Sequence, residues 1–236
     1  MQLFLLSPQS ATTATLESEE ARHCLKVLRH HSGDLIDCIN GAGAYYRARI
    51  TGSSRDGVQL ELLEKVENWG EHTYGIRLLV SPLRLRDRME WLLEKAVELG
   101  VTEIVPVICR HTIDHARYKP ERMEKIMIAA MKQCKRSRLP LLSEALPFTQ
   151  AIAAAGTALR LIAQADAPQA ITDLAQAVQN AGKLVLLIGP EGDFSEAEMQ
   201  QAAGAGFQAV HLGRQRLRTE TAALHGLSAI KLLKGY

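Results

Sequence analysis

The sequence predicts an α/β protein: a parallel sheet with helices on both faces, preceded by a small β-barrel. Three observations carry that expectation. The first 70 residues hold short, β-rich runs separated by glycine-containing turns. From about residue 74, apolar strand-like runs alternate with helical periods. Two loops that follow buried strands contain glycines and arginines that neither strand nor helix favours. At 236 residues, 47% of them hydrophobic, the chain can build one large core or two small ones.

In the N-terminal part, residues 3–6, 34–40, 45–50 and 58–63 read as strands, and one helical stretch spans about 19 to 28. Strands at this spacing suit a small barrel. Residues 65–74 are polar, contain Gly70 and read as a linker, which places the domains at 1–70 and 74–236. The run 76–81 is a strand ended by Pro82. Asp87 and Glu90 then read as a carboxylate cap with Glu three residues on, and Met89, Leu92, Leu93, Ala96 and Val97 form one helix face up to Gly100. Residues 104–108 are a strand rich in β-branched side chains, and 120–135 a helix with Pro in its first turn. The alternation continues with strand 159–163, helix 170–180, buried strand 184–188, a helix opened by the capping box Ser195 to Glu198, strand 209–212 and a last helix over 221–233. In that helix Leu224, Leu227 and Ile230 read as core or a dimer seam. Parallel sheets of this kind are covered on both faces and bind ligands in loops beyond the strands' C-terminal ends.

Several classes are excluded. No run approaches the roughly 20 apolar residues of a membrane span, and residues 1–10 lack the basic start of a signal peptide. Cys24, Cys38, Cys109 and Cys134 are scattered without a CxxC pair, which fits reduced thiols in a cytoplasmic protein. There is no GxxxxGK[ST] and no GxSxG, and Gly41-Ala-Gly43 ends in Tyr46 with no helix signal behind it. His111 and His115 stand four apart without a third ligand, so no metal site is expected. The formal net charge is only +2. The excess lies in the middle: residues 73–138 carry 14 Lys and Arg against 8 Asp and Glu, while both flanking segments are slightly acidic. Such asymmetry suits a polyanion.

The first informative loop is Gly189-Pro-Glu-Gly-Asp-Phe-Ser195. Its glycines let backbone approach a ligand, and the next helix offers unpaired N–H groups. The second runs from Leu212 to Ala222 and sets Arg214, Arg216 and Arg218 before a helix that Thr219 or Thr221 can cap, with Glu220 in its first turn. A third feature, Lys135-Arg-Ser-Arg138, presents charge at a helix end.

These residues resemble the bacterial 16S ribosomal RNA uridine-N3 methyltransferases of the SPOUT superfamily. The likeness rests on Gly189-Pro-Glu-Gly192 with Phe194, Ser195 and Glu198, on Leu212-Gly213, and on Leu217-Arg-Thr-Glu-Thr-Ala222. It rests also on His23-Cys-Leu-Lys-Val-Leu-Arg29 with Gly33-Asp34, on Glu94 to Gly100 with Ile104 and Pro106, and on Gln133-Cys-Lys-Arg136 with Pro140. Two positions depart from it: Asp193 stands where a third glycine is usual, and Lys132 where an acidic residue is common. The resemblance implies a trefoil-knotted SPOUT domain behind a PUA-like barrel, an obligate homodimer, S-adenosylmethionine as cofactor, and as substrate the uridine at position 1498 of 16S ribosomal RNA, met on the assembled 30S subunit. It implies a cofactor site at Ile188, Gly189, Pro190, Glu191, Gly192, Leu212, Gly213, Leu217, Thr221 and Ala222. Arg218 is then the group that offsets charge on the uracil, with Thr219 and Glu220 as companions. Arg22, His23, Lys26, Arg29, Lys135, Arg136 and Arg138 are the expected RNA contacts.

Overall fold

A computed structural model describes residues 1–54, 57–113 and 119–235. The chain forms two compact units: Met1–Glu71 with Ile128–Leu139, and His72–Met127 with Pro140–Tyr236.

The first unit is a six-stranded sheet in the order β1-β4-β5-β6-β3-β2, built from β1 (Leu3–Leu5), β2 (Ser7–Pro8), β3 (Thr13–Leu16), β4 (Leu35–Ile39), β5 (Ala44–Ser54) and β6 (Gly57–Glu67). β1 and β4 run parallel and the other pairs antiparallel. Ala44, Tyr46, Ala48 and Ile50 alternate inward along β5. Two register shifts in the β5–β6 pairing bend the hairpin, and the sheet curls around Phe4, Leu16, Cys24, Cys38 and Leu60. α1 (Ser18–Arg22) continues into one π-helical turn over His23–Val27, so the expected helix is present in two parts. β3 had no signal in the sequence analysis, because Thr13–Leu16 is too short to show a period.

The division between the units, after Glu71, falls inside the segment 65–74 expected to be a linker, but the part of that segment before it belongs to the first unit. β6 runs on to Glu67, Trp69 stacks on Tyr45 at 4.9 Å, and Glu71 is buried. The Glu71 carboxylate accepts from the Arg136 guanidinium at 2.9 Å and from the amides of Ser137 and Arg138. The polar composition of the segment hides this role, because the partner of its carboxylate lies 65 residues away.

The second sheet is parallel throughout, in the order β10-β8-β7-β12-β11-β13 with β9 beside β8. Its strands are β7 (Gly75–Val80), β8 (Glu103–Ile108), β9 (Leu141–Leu142), β10 (Leu146–Pro147), β11 (Leu159–Ala163), β12 (Lys183–Ile188) and β13 (Gln208–Val210). The helices are α2 (Arg86–Glu98), α3 (Pro120–Gln133), α4 (Phe148–Ala153), α5 (Ala175–Asn180), α6 (Glu196–Gly204) and α7 (Thr219–Leu233). Val185 and Leu187 of β12 pack with Phe148, Ile152 and Ala202 of α4 and α6. Leu186 points the other way, onto α7, where a Cβ at Gly226 would stand 2.7 Å from its methyl. Successive side chains of one strand thus reach helices on opposite faces. Leu227 and Ile230 are fully buried core, and Leu224 is half-buried.

Three helix starts differ from expectation. α2 begins at Arg86 with Leu85 before it, so Asp87 lies in the first turn instead of capping. Glu90 instead accepts from Arg122 and Arg86, which hold its carboxyl down at about 2. Residues 170–180 open as a 3₁₀ turn over Ile171–Leu174 before α5. Neither Thr219 nor Thr221 caps α7; Arg218 occupies that position with no side-chain cap bond.

Candidate functional site

The loops beyond the C-terminal ends of β7, β11, β12 and β13 enclose a cavity of about 710 Å³. It lies where a parallel sheet binds ligands, and its size is that of a small-molecule site.

The loop after β12 is tightly specified. A Cβ at Gly189 would stand 2.9 Å from the buried Phe194 ring, so only glycine lets that ring fold back against the strand end. The Asp193 amide donates to the Pro190 carbonyl at 3.0 Å, closing a turn. Asp193 has φ of 64°, the left-handed region where glycine is usual and Asp is among the better-tolerated residues. Its carboxylate accepts from the Phe194 amide at 2.8 Å, and its carbonyl accepts from Nδ1 of His111 at 2.9 Å. The departure at position 193 is therefore absorbed by the turn. The capping box at α6 is present: Ser195 Oγ accepts from the Glu198 amide, and Glu198 takes the Ser195 amide at 2.8 Å. Glu198 is buried and also accepts from the Arg110 amide at 2.8 Å, which fixes the end of β8 to the same loop.

The loop before α7 meets the first. The buried Thr219 hydroxyl donates to the Gly189 carbonyl at 3.1 Å. Arg218 is exposed at the cavity wall. Glu220 is buried, and its Oε1 lies 3.4 Å from Nη1 of Arg88 while Oε2 has no hydrogen-bond partner among the described residues. Glu220 is thus the companion of Arg88.

Of the expected cofactor residues, Ile188, Gly189, Pro190, Glu191, Leu212, Gly213, Leu217 and Ala222 line the cavity, as do Arg218 and Thr219. Gly192, Glu220 and Thr221 do not. Gly192 faces His111, with a Cβ falling 3.0 Å from that side chain, and Thr221 is exposed on α7. Arg84, Leu85, Arg88 and Gln164 line the cavity without any signal in the sequence, and Gln215 and Arg216 of the second loop join them. The first four follow β7 and β11 or open α2; the rule that ligands meet strand C-termini marks those positions once the strands are known.

The expected RNA contacts fall in the first unit. Arg22, Lys26, Arg29, Lys135 and Arg138 are exposed and His23 is half-exposed. Lys132 pairs with Glu20 at 2.5 Å, tying α3 to α1 between the two basic segments. Lys135 ends α3 with φ of 59°. Arg136 is a correction: its side chain is 6% exposed and held by Glu71, so it is structural and has no face to offer RNA.

Burial pushes the thiols of Cys24 and Cys109 up, to about 11 and about 12, away from nucleophilic use. Among the described residues no group of three or more His, Cys, Asp or Glu could hold a metal ion; His115 lies outside those residues.

Residues 71–231 match the model of an RNA methyltransferase domain, and residues 16–63 that of an RNA methyltransferase PUA domain. Ribosomal RNA small subunit methyltransferase E of Synechocystis is 30% identical over 226 residues, covering 94% of this chain and 73% of that protein. The chain belongs to the ribosomal RNA small subunit methyltransferase E family. The family's enzyme from Bacillus subtilis is 26% identical over 96% of this chain and 94% of its own. The crystal structure of the family's protein from Neisseria gonorrhoeae bound to S-adenosyl methionine has a TM-score of 0.87 at 34% identity, covering 99% of this chain and 98% of that one. A probable rRNA-methyltransferase from Porphyromonas gingivalis gives the same TM-score and identity over 100% and 99%. The curled N-terminal sheet is accordingly the PUA-like domain, and the parallel sheet the family's methyltransferase domain.

Proposed function

We propose that this chain is an S-adenosylmethionine-dependent methyltransferase of small-subunit ribosomal RNA. It methylates N3 of the uridine at position 1498 of 16S ribosomal RNA, as a homodimer acting on the assembled 30S subunit in the cytoplasm. The observation that carries the reading is the cavity itself, built by the two family loops and locked by the bond from Thr219 to the Gly189 carbonyl.

The residues present fit the cofactor. Ile188, Leu212, Leu217 and Ala163 supply apolar wall for an adenine face, and the loop backbones supply edge groups. When bound, S-adenosylmethionine supplies a methyl group on an electrophilic sulfonium. Uridine N3 attacks well only after losing its proton, so the site must favour the anionic base. Arg218 faces the cavity without an ion-pair partner among the described residues, which frees its charge for a uracil oxygen. Thr219 positions, through Gly189, the loop that holds the cofactor. Exposed Leu85, Trp91 and Leu232, at 52%, 46% and 72%, support burial against a second copy.

Mass-spectrometric mapping of 16S ribosomal RNA with and without the protein tests the assignment. Unmodified uridine at position 1498 in its absence, restored by protein, cofactor and purified 30S subunits, is expected. Methylation of another base, or none, overturns it.

A further inference from the structure

The charge of the cavity does not match its cofactor. Arg84, Arg88, Arg216 and Arg218 line it, against the carboxylates of Glu191 and Asp193 at the wall and of Glu220 behind Arg88, which leaves one positive charge in excess. S-adenosylmethionine is itself net cationic, a sulfonium and an ammonium against one carboxylate. A net positive wall around a net positive ligand is repulsive unless an anion joins them.

Two of these arginines make no contact that the fold uses. Among the described residues Arg84 and Arg216 carry no hydrogen bond or ion pair, and both are exposed at the cavity wall. Arg88 is different: the buried Glu220 carboxylate, 3.4 Å from Nη1, fixes it in place while leaving its other donors open. Arg84 and Arg88 come from the segment that opens α2, and Arg216 from the loop before α7, so fixed and free guanidinium groups reach one cavity from two elements.

We infer that Arg84, Arg88 and Arg216 form a phosphate seat at the cofactor cavity, which grips the phosphodiester flanking the target nucleotide. Guanidinium groups match phosphate oxygens in pairs, and an extruded base must bring its own backbone to the pocket mouth. Glu220 is then a positioning residue acting through Arg88. The seat would make the enzyme read a nucleotide in a chain rather than a base, and its phosphate would supply the missing negative charge beside the sulfonium. This inference rests on the proposed function and names the substrate group the cavity takes.

The test uses full-length protein, 30S subunits lacking the modification, and the variants Arg84→Ala, Arg216→Ala and Arg216→Lys. Three quantities are measured: KM for subunits, its salt dependence, and cofactor affinity by calorimetry. Each alanine variant is expected to raise KM about tenfold, as loss of one charge-assisted contact implies, and to flatten the salt slope by about one. Cofactor affinity should hold or improve, and Arg216→Lys should keep the salt slope while recovering only part of KM. An unchanged KM overturns the seat. So does a fall in cofactor affinity, which would assign the arginines to the cofactor's own carboxylate. If wild-type protein transfers no methyl group to the subunits, the functional reading fails instead, and the calorimetry still shows whether the arginines serve the cofactor.

Discussion

Single residues decide how the cavity is used, and their burial separates scaffold from chemistry. Arg136 and Arg218 look alike in the sequence, each an arginine in a family motif. One is buried under Glu71 and cannot leave it; the other stands exposed at the cavity with no competing carboxylate among the described residues. No local pattern distinguishes them, because the partner of Arg136 is 65 residues distant. Glu220 makes the same point: the resemblance makes it a companion of Arg218, yet it is buried outside the cavity lining and its partner is Arg88. If Arg218 offsets charge that develops on the uracil, Arg218→Ala should lower kcat about 100-fold or more while cofactor affinity by calorimetry stays within twofold. A loss confined to cofactor binding would reassign it to the pocket wall.

Elements were legible where their own side chains repeat. The apolar runs of β7, β8 and β12 and the face Met89 to Val97 of α2 are found close to where the sequence places them, since a strand covered on both faces is apolar almost throughout and a helix face repeats every third to fourth residue. Short pieces escaped: β3, β9 and β10 hold four residues or fewer and owe their conformation to pairing with distant strands. The α6 start shows what a legible local signal can hide. The Ser195 box was plain in the sequence, but Glu198 also accepts from the Arg110 amide 88 residues away, so one carboxylate caps α6 and pins β8 to the cofactor loop. Ser195→Ala should therefore cost about 1 kcal/mol of stability, the usual value of an N-cap. Glu198→Ala should cost more, about 2 kcal/mol, because it leaves the part-buried amides of Ser195 and Arg110 without their acceptor, and it should also weaken cofactor binding. Thermal melts with calorimetry on both variants check the order; equal losses would mean the bond to Arg110 contributes nothing.

Across the whole molecule, half of the basic excess seen in the middle of the sequence is offset by Glu20, Glu71 and Glu220 from outside it, while other basic residues there pair within the segment. Arg77 pairs with Glu103, Arg86 and Arg122 with Glu90, Arg88 with Glu220, Lys132 with Glu20 and Arg136 with Glu71. A count along the chain cannot see these pairs, and it overstates the free charge of residues 73–138. Among the described residues, the exposed cations without an ion-pair partner include Lys135 and Arg138 with Arg22, Lys26 and Arg29 in the first unit, and Arg84, Arg216 and Arg218 of the cavity in the second. The cavity wall gathers arginines from the basic middle and from the C-terminal third, whose own share of it, Arg216 and Arg218 against Glu191 and Asp193, is balanced. Counterion release counts only phosphates met by free cations. Binding of 30S subunits, followed by filter retention across a salt series, should therefore lose about two from its logarithmic slope in the double variant Lys135→Ala, Arg138→Ala. Lys132→Ala, which removes a charge already held by Glu20, should leave the slope unchanged and lower only the melting temperature. Equal slopes for the double variant and the native protein would remove the end of α3 from the RNA face, whereas a slope reduced by Lys132→Ala would show that the pair with Glu20 opens when RNA binds.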